Sequence, residues 1–93
     1  MGMAMETDEA RLKRMRMRSW RRGTKEMDLV LGPYADGELA AMTVADLDAY
    51  DRLLEENDQD LMAWMLGQKA VPMEHAGLIS VLSAYALRRL RAG

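Results

Sequence analysis

The sequence predicts an all-α domain, a small bundle of about five short helices, on three observations. Apolar residues recur at i, i+3, i+4 and i+7, and no five-residue stretch alternates with period two. Capping residues precede most of the apolar runs, and Gly or Pro punctuates them. Phe is absent and Ile occurs once, so the β-branched and aromatic enrichment of strands is missing.

The first helix is predicted over Asp8–Trp20. Thr7 or Asp8 caps it, and Asp8 and Glu9 suit the positive end of its dipole. Leu12, Met15 and Ser19 share one face beside Arg16, a thin apolar stripe that needs neighbours. Gly23 breaks the run. The second helix starts at Thr24 and reaches about Ala41, with Met27, Val30, Leu31 and Tyr34 on one face. Gly32-Pro33 lies inside it. Proline removes a backbone donor and crowds the preceding turn, so a kink or break is expected there. The third helix runs over about Val44–Glu56, with Thr43 as N-cap, Asp46 at its third position, and Leu47, Tyr50 and Leu54 on one face. Asp58 caps the fourth, about Gln59–Gln68, which carries Leu61, Met62, Met65 and Leu66 with Trp64 at the side; Gly67 marks its end. Val71-Pro72 opens the fifth, with Pro72 near its first position. Its stripe is Leu78, Ile79, Leu82, Tyr85, Ala86 and Leu90, and Arg88, Arg89 and Arg91 suit its C-terminal turns.

Ninety-three residues make one domain that buries roughly 60–65% of the surface of the unfolded chain, too little for a deep enzyme cleft to be the first expectation. With 49% hydrophobic and 30% charged residues the chain is globular rather than disordered. The absence of Cys removes disulfides, thiolate metal sites and thiol nucleophiles, and the single histidine, His75, removes a multi-histidine metal site. No apolar run approaches the ~18–20 residues of a membrane span. The start MGMAMETDEA has no signal pattern, and Glu6 stands where a myristoylation motif needs Ser or Thr. Residues 1–7 are expected to be a flexible start and the chain to be soluble and unprocessed.

Net charge is −2, unevenly distributed. Residues 1–25 hold eight Lys/Arg against three Asp/Glu, residues 26–75 two against twelve, and residues 76–93 three arginines and no acid. The segment RLKRMRMRSWRRGTK (11–25) therefore has two readings: a solvated helix face with its loop, or a phosphate-binding surface with Trp20 as a stacking platform. The acidic middle counts against the second. Within the segment, Gly23 supplies backbone freedom. With Gly23 as N-cap, Glu26 falls at the third helical position and reaches back to the capping amide. Arg21 and Arg22 then stand at the positive end of the second helix, where cations are disfavoured, and are available to an acidic partner or a phosphate. Glu26 with Asp28 reads as a solvated pair rather than acid–base machinery. His75 beside Glu74 reads as a surface or capping residue rather than a catalytic one. Met15, Met17, Met27, Met62 and Met65 read as core filler that also suits adaptable contact surfaces. Trp64, next to EENDQD (55–60), reads as a partly buried anchor.

RSWRRGTKEMDLVLGPY (18–34) followed by DRLLEENDQDLMAWML (51–66) resembles the SdhE/YgfY family of FAD assembly factors for succinate dehydrogenase, the family of mitochondrial succinate dehydrogenase assembly factor 2. The family signature RGxxE corresponds to Arg22, Gly23 and Glu26, extended by Asp28 and by Pro33-Tyr34. The second block matches through Leu53, Leu54, Glu55, Asp58, Asp60, Leu61 and Trp64. The resemblance covers roughly residues 11–73; Thr24 departs from it, since many members carry Met there. It implies a five-helix bundle that is not itself an enzyme. Such a protein binds the flavoprotein subunit of succinate dehydrogenase, or of fumarate reductase in some bacteria, and promotes covalent attachment of FAD to a histidine of that subunit. Attachment there is thought to be autocatalytic, through a quinone-methide form of the flavin. The implied contact residues are Arg21, Arg22, Gly23, Glu26, Asp28, Pro33, Tyr34, Asp60 and Trp64, with no catalytic or metal residue. No cofactor is bound stably; FAD belongs to the partner. The implied setting is the bacterial cytoplasm, as a monomer or weak dimer, without membrane or nucleic acid. The alternatives are a nucleic-acid-binding or antitoxin-like regulator using 11–25 and a small FAD carrier. The second lacks any GxGxxG or βαβ pattern.

Overall fold

The computed structural model describes residues 6–92. Helices α1 (Asp8–Trp20), α2 (Lys25–Glu38), α3 (Val44–Leu53), α4 (Asp58–Met65) and α5 (Ala76–Ala92) follow one another, with 3₁₀ turns at Leu39–Ala41 and Met73–His75. The chain is all-α, as expected; the expected fraying of the first methionines lies outside the described residues.

Side-chain caps set the helix starts. Thr7 accepts from the Ala10 amide at 3.0 Å and Thr43 from the Asp46 amide at 3.2 Å, each satisfying an otherwise orphan donor. Two expected caps shift by one residue. Thr24 rather than Gly23 caps α2, through its hydroxyl and the Met27 amide at 3.3 Å. Glycine has no side-chain acceptor to offer, and Glu26 falls at the second helical position, so the expected capping box does not form. Asn57 rather than Asp58 caps α4, accepting from the Asp60 amide at 2.8 Å. At its other end α4 stops before the expected Gln68. Gly67 takes φ +74°, and the Gln68 and Gly67 amides return to the Ala63 and Trp64 carbonyls at 2.8 and 3.3 Å, a Schellman ending that needs a left-handed residue.

Helix α2 runs through Pro33 without a break. The carbonyl that loses its helical donor belongs to Leu29, on the exposed side of the helix, where solvent can satisfy it. The opposite side carries Val30, Leu31, Tyr34 and Ala35 into the core, and this burial holds the helix together through its weak point. Its last turn, Leu39–Ala41, tightens to 3₁₀. Helix α5 begins later than expected: Pro72 precedes the 3₁₀ turn Met73–His75, and the α-helix starts at Ala76.

The core gathers Met15 of α1, Met27 and Leu31 of α2, Tyr50 and Leu53 of α3, Leu61 and Trp64 of α4, and Ile79 and Leu82 of α5. Met15 and Met27 are core filler, as read, whereas Met17 is exposed. One polar chain crosses the interior. The Ser19 hydroxyl donates to the Met15 carbonyl at 2.8 Å and meets the Tyr50 hydroxyl at 2.7 Å, so both buried hydroxyls are satisfied. Burial pushes the Tyr50 phenol above its ordinary value. Tyr34 packs edge-on to Tyr85 and tilted against Tyr50, with centroids 5.4 and 5.8 Å apart.

Gly32 of α2 lies against the Trp20 side chain of α1. A Cβ there would overlap the Trp20 indole, whose N–H donates to Asp36 at 3.1 Å. Trp20 therefore lies across Gly32 rather than standing free as a stacking platform. A Cβ on Gly37, one turn further along, meets nothing within 4 Å. These two helical glycines should respond to alanine with opposite signs. Gly32→Ala should destabilise by about 1–3 kcal/mol through overpacking, and Gly37→Ala should stabilise by about 0.5–1 kcal/mol through helix propensity. Urea denaturation of both variants checks this; equal signs would show that Trp20 does not pack on Gly32.

Candidate partner-binding site

The basic face of α1 is used internally. Arg11 meets Asp48 at 2.6 Å, Arg14 meets Asp51 at 2.8 Å, Arg18 meets Glu55 at 2.6 Å and Arg22 meets Asp58 at 2.7 Å. The arginines recur at helical spacing on α1 and just beyond it, and their partners recur at the same spacing along α3 and into α4. The basic start and the acidic middle of the chain are two sides of one ladder. Four of the eight cations in 11–25 are thereby engaged, which halves the charge that a phosphate-binding reading would use. Arg14 also pairs with Glu6 at 2.8 Å. Its hydrogen bond holds the Asp51 carboxyl below the usual carboxylate range, and the charge of Arg11 and Arg18 adds to this.

The last rung differs from the others. The Arg22 and Asp58 side chains are only 9% and 14% exposed. The guanidinium donates through Nε to Asp58 Oδ1 at 2.7 Å, through Nη1 to the Leu54 carbonyl at 2.7 Å and through Nη2 to the Glu56 carbonyl at 2.6 Å. These are carbonyls just past the end of α3, so Arg22 terminates that helix at Leu53, three residues before the expected Glu56. The second Asp58 oxygen accepts the Gly23 amide, and Asp28 Oδ1 accepts the Arg22 amide at 2.6 Å. The turn between α1 and α2 is thus tied to the α3–α4 connection by side chain and backbone together. Gly23 packs tightly here: an added Cβ would stand 3.0 Å from Asp58 Oδ2, so the carboxylate would have to give by a few tenths of an ångström.

The nine residues singled out in the sequence separate by depth. Arg21, Gly23 and Glu26 are exposed, and among the described residues no hydrogen bond or ion pair engages the side chains of Arg21 or Glu26. Arg22 is not left available beside Arg21, as the sequence suggested, because the carboxylate and carbonyls of the next connection surround it. Asp28 is half-buried against the Arg22 amide. Pro33 is half-buried, while Tyr34 and Trp64 are core residues, 4% and 6% exposed. Asp60 is held by Lys69 at 2.6 Å and Asn57 at 2.9 Å, and the Lys69 hydrogen bond keeps its carboxyl low. His75 is not a surface residue: it is 1% exposed and its Nε2 lies 2.7 Å from Glu56 Oε2.

Depressions border the exposed turn, two of them informative. On one side Met17, Arg18, Arg21 and Asn57 line a cleft of about 420 Å³ that Arg22, Gly23 and Asp58 floor. On the other, Glu26 borders an apolar groove of about 460 Å³ lined by Leu29, Met62, Met65, Leu66 and Leu87. Leu29, Leu66 and Leu87 are each at least half exposed. The sequence reading placed Leu66 on a packed helix face and did not single out Leu29 or Leu87. Their one signal was an apolar residue off the main stripe of its helix, which is weak evidence for a surface.

Comparison with known proteins matches residues 13–86 to the Sdh5 family, described as "Flavinator of succinate dehydrogenase". The chain is 37% identical over 75 residues to a protein of Mycosarcoma maydis named "Succinate dehydrogenase assembly factor 2, mitochondrial", covering 81% of this chain and 32% of that one. It is 32% identical over 75 residues to the "FAD assembly factor SdhE" of Acetobacter pasteurianus, covering 81% of this chain and 69% of that one. A Legionella pneumophila protein of the same name is 37% identical over 62 residues, 67% of this chain and 78% of that one. The chain spans about a third of the Mycosarcoma relative, and 48% of a Schizosaccharomyces pombe relative also named as assembly factor 2. Among the described residues no helix is long and apolar enough to cross a membrane.

The ladder makes a pH-dependent prediction. A carboxyl whose folded pKa is depressed stabilises the fold above its unfolded value, near 3.9, and loses that contribution as pH falls through the folded value. Asp51→Asn should therefore cost about 1 kcal/mol or less at pH 7, given partial exposure. The difference from wild type should hold down to about pH 4 and shrink below it, disappearing only once the pH has fallen past the depressed folded value. Urea titrations of both proteins from pH 7 to pH 3 measure it.

Proposed function

The chain belongs to the Sdh5 family, the flavinators of succinate dehydrogenase, a family of assembly factors rather than catalysts, and on that premise we propose that it binds the flavoprotein subunit of that enzyme and promotes its covalent flavinylation. The same reading extends to the related subunit of fumarate reductase. The observation that carries it is the turn itself: Gly23, Arg21 and Glu26 are presented to solvent while Arg22, Asp28 and Asp58 hold the backbone beneath them. Long polar side chains without internal partners on a rigid support suit recognition, because little conformational freedom is lost on docking beyond that of the side chains themselves.

In this reading FAD is held by the partner and not stably by this chain. The cleft beside the turn supports that assignment. Three donors of Arg22 are occupied within the chain, and Arg18 donates to Glu55 and to the Leu54 carbonyl. Of the arginines lining the cleft only Arg21 has no internal partner among the described residues, a poor match to a dedicated dinucleotide site. The chain's contribution is orientation: keeping a flavin and an acceptor side chain in reacting geometry is worth several kcal/mol without any group of the helper entering the chemistry. Arg21, Gly23 and Glu26 make the contact. Arg22, Asp28, Pro33, Tyr34, Asp60 and Trp64 act from below by fixing the elements that present them. The protein works as a monomer or weak dimer.

Two substitutions test this in a strain lacking the gene, read by fluorescence of covalent flavin on a denaturing gel. Glu26→Ala removes an exposed side chain with no internal partner, so it should leave stability within about 0.5 kcal/mol and lower covalent flavin at least tenfold. Gly23→Arg must displace the Asp58 carboxylate and block the turn, and should abolish the signal while the bundle stays folded. Undiminished covalent flavin with a folded Gly23→Arg protein would refute the proposal.

A further inference from the structure

His75 precedes α5 and lies more than fifty residues from the exposed turn, yet a short chain of contacts joins them. Its ring is 1% exposed. Nε2 lies 2.7 Å from Glu56 Oε2, with the Glu74 carboxylate further off at 3.8 Å. Among the described residues Nδ1 has no hydrogen-bond partner, so the Glu56 contact alone orients the ring by hydrogen bonding. Trp64 holds the ring plane from one side, tilted 35° at a centroid distance of 5.5 Å. Glu56 in turn supplies the backbone carbonyl that accepts Arg22 Nη2 at 2.6 Å. The residue that closes the Arg22 clamp is therefore itself anchored from the far side by a buried histidine.

We propose that His75 is a positioning residue for the exposed turn, acting through Glu56 and Arg22; this rests on the reading that the turn contacts the flavoprotein subunit. Helix α3 has ended before Glu56, so its carbonyl is held in place by contacts rather than by a helix. The Glu56 carboxylate is 36% exposed and turns to water once His75 no longer offers a donor. The carbonyl on the same residue then gains freedom, and Arg22 loses one of three acceptors. The Gly23 backbone, tied to the same Asp58 that Arg22 holds, loosens with it. A loosened turn must be ordered when the partner docks, which weakens binding without altering the docked geometry. The deficit should appear in the partner concentration required and not in the plateau.

The test uses the full chain and two substitutions. His75→Leu fills the site but removes the hydrogen bond; His75→Gln retains an N–H able to reach Glu56. In isolated protein, NMR should show the Arg22 Nε–H and Gly23 amide protons of His75→Leu exchanging at least tenfold faster than in wild type. Core amides such as those of Leu31 and Leu53 should stay within about threefold, and His75→Gln should recover most of the protection. In flavinylation, His75→Leu should need at least fivefold more assembly factor for half-maximal covalent flavin and reach the same plateau. Unchanged exchange at Arg22 and Gly23 overturns the proposal. Uniform acceleration across the core also overturns it, by showing His75 to be simply a stabilising residue. A loosened turn with undiminished flavinylation overturns the positioning role. There the Glu26→Ala result separates the causes: a defective Glu26→Ala places the failure with His75, and an active one places it with the reading of the turn.

Discussion

The guanidinium of Arg22 is the point on which the connections of this small bundle converge. It lies just after α1, binds the carbonyls that follow α3, and pairs with the first residue of α4. A helix end that stops inside a structure leaves carbonyls that must find donors. Here one side chain supplies two of them and an ion pair as well. Removing such a group strands a largely buried carboxylate and the Glu56 carbonyl, the Leu54 carbonyl keeping its Arg18 donor, which costs several kcal/mol; the pair is nonetheless weak evidence of net stabilisation, because desolvation offsets much of its attraction. Its evident effect is geometric. Planar, forked donors fix the angle at which the α1–α2 turn meets the α3–α4 connection.

The three outer rungs do a different job. Their partners are partly exposed, and each contributes at most about 1 kcal/mol. What they add together is register. Arginines at 11, 14 and 18 face acids at 48, 51 and 55, so a slide of α1 along α3 by one turn would re-pair the inner rungs but leave an end pair without partners, Arg22 and Asp48 in one direction or Arg11 and Asp58 in the other. A core of this size, filled largely by Leu and Met, packs adaptably and specifies register poorly by shape alone. The ladder adds to the specification through its last rung, which is largely buried and bound to the Leu54 and Glu56 carbonyls, a pair of acceptors that no other rung engages among the described residues. It also explains a composition that looked like a binding signal: a strongly basic segment followed by a strongly acidic one is what two helices need in order to pair along their length.

The helices and their apolar faces were legible because both are local. Met27, Val30, Leu31 and Tyr34 announce a buried stripe by spacing, and Thr7 and Thr43 announce caps by residue type and position. The segment RRGTKE was legible as a place of interest for the same reason, since arginines at the start of a helix contradict the dipole. Which arginine was exposed was not legible. Arg21 and Arg22 are identical in type and adjacent, and only the arrival of Leu54, Glu56 and Asp58 from thirty-odd residues away buries the second. The caps of α2 and α4 were misplaced by one residue because Gly23 and Asp58 suit a cap as well as Thr24 and Asn57 do, and both are instead bound to each other. His75 and Gly32 were missed on the same ground. Beside Glu74 the histidine resembles a surface residue until Glu56 meets it, and Gly32 resembles a helix breaker until Trp20 lies across it.

This division changes what a substitution in the segment can mean. A pattern of residues shared with a family does not distinguish those that touch a partner from those that hold them in place, since both fail the same assay. Depth distinguishes them. Replacing Arg22 or Asp58 frees the end of α3, the start of α4 and the turn at once, so a loss of function there says nothing about what those side chains touch. Replacing Glu26 or Arg21 disturbs no internal contact and speaks to the surface directly. Gly23 belongs to both classes, because its amide is tied to Asp58 below and its missing side chain leaves room above. A large side chain at that one position disturbs the Asp58 support and obstructs the surface together, so its effect cannot be assigned to either alone.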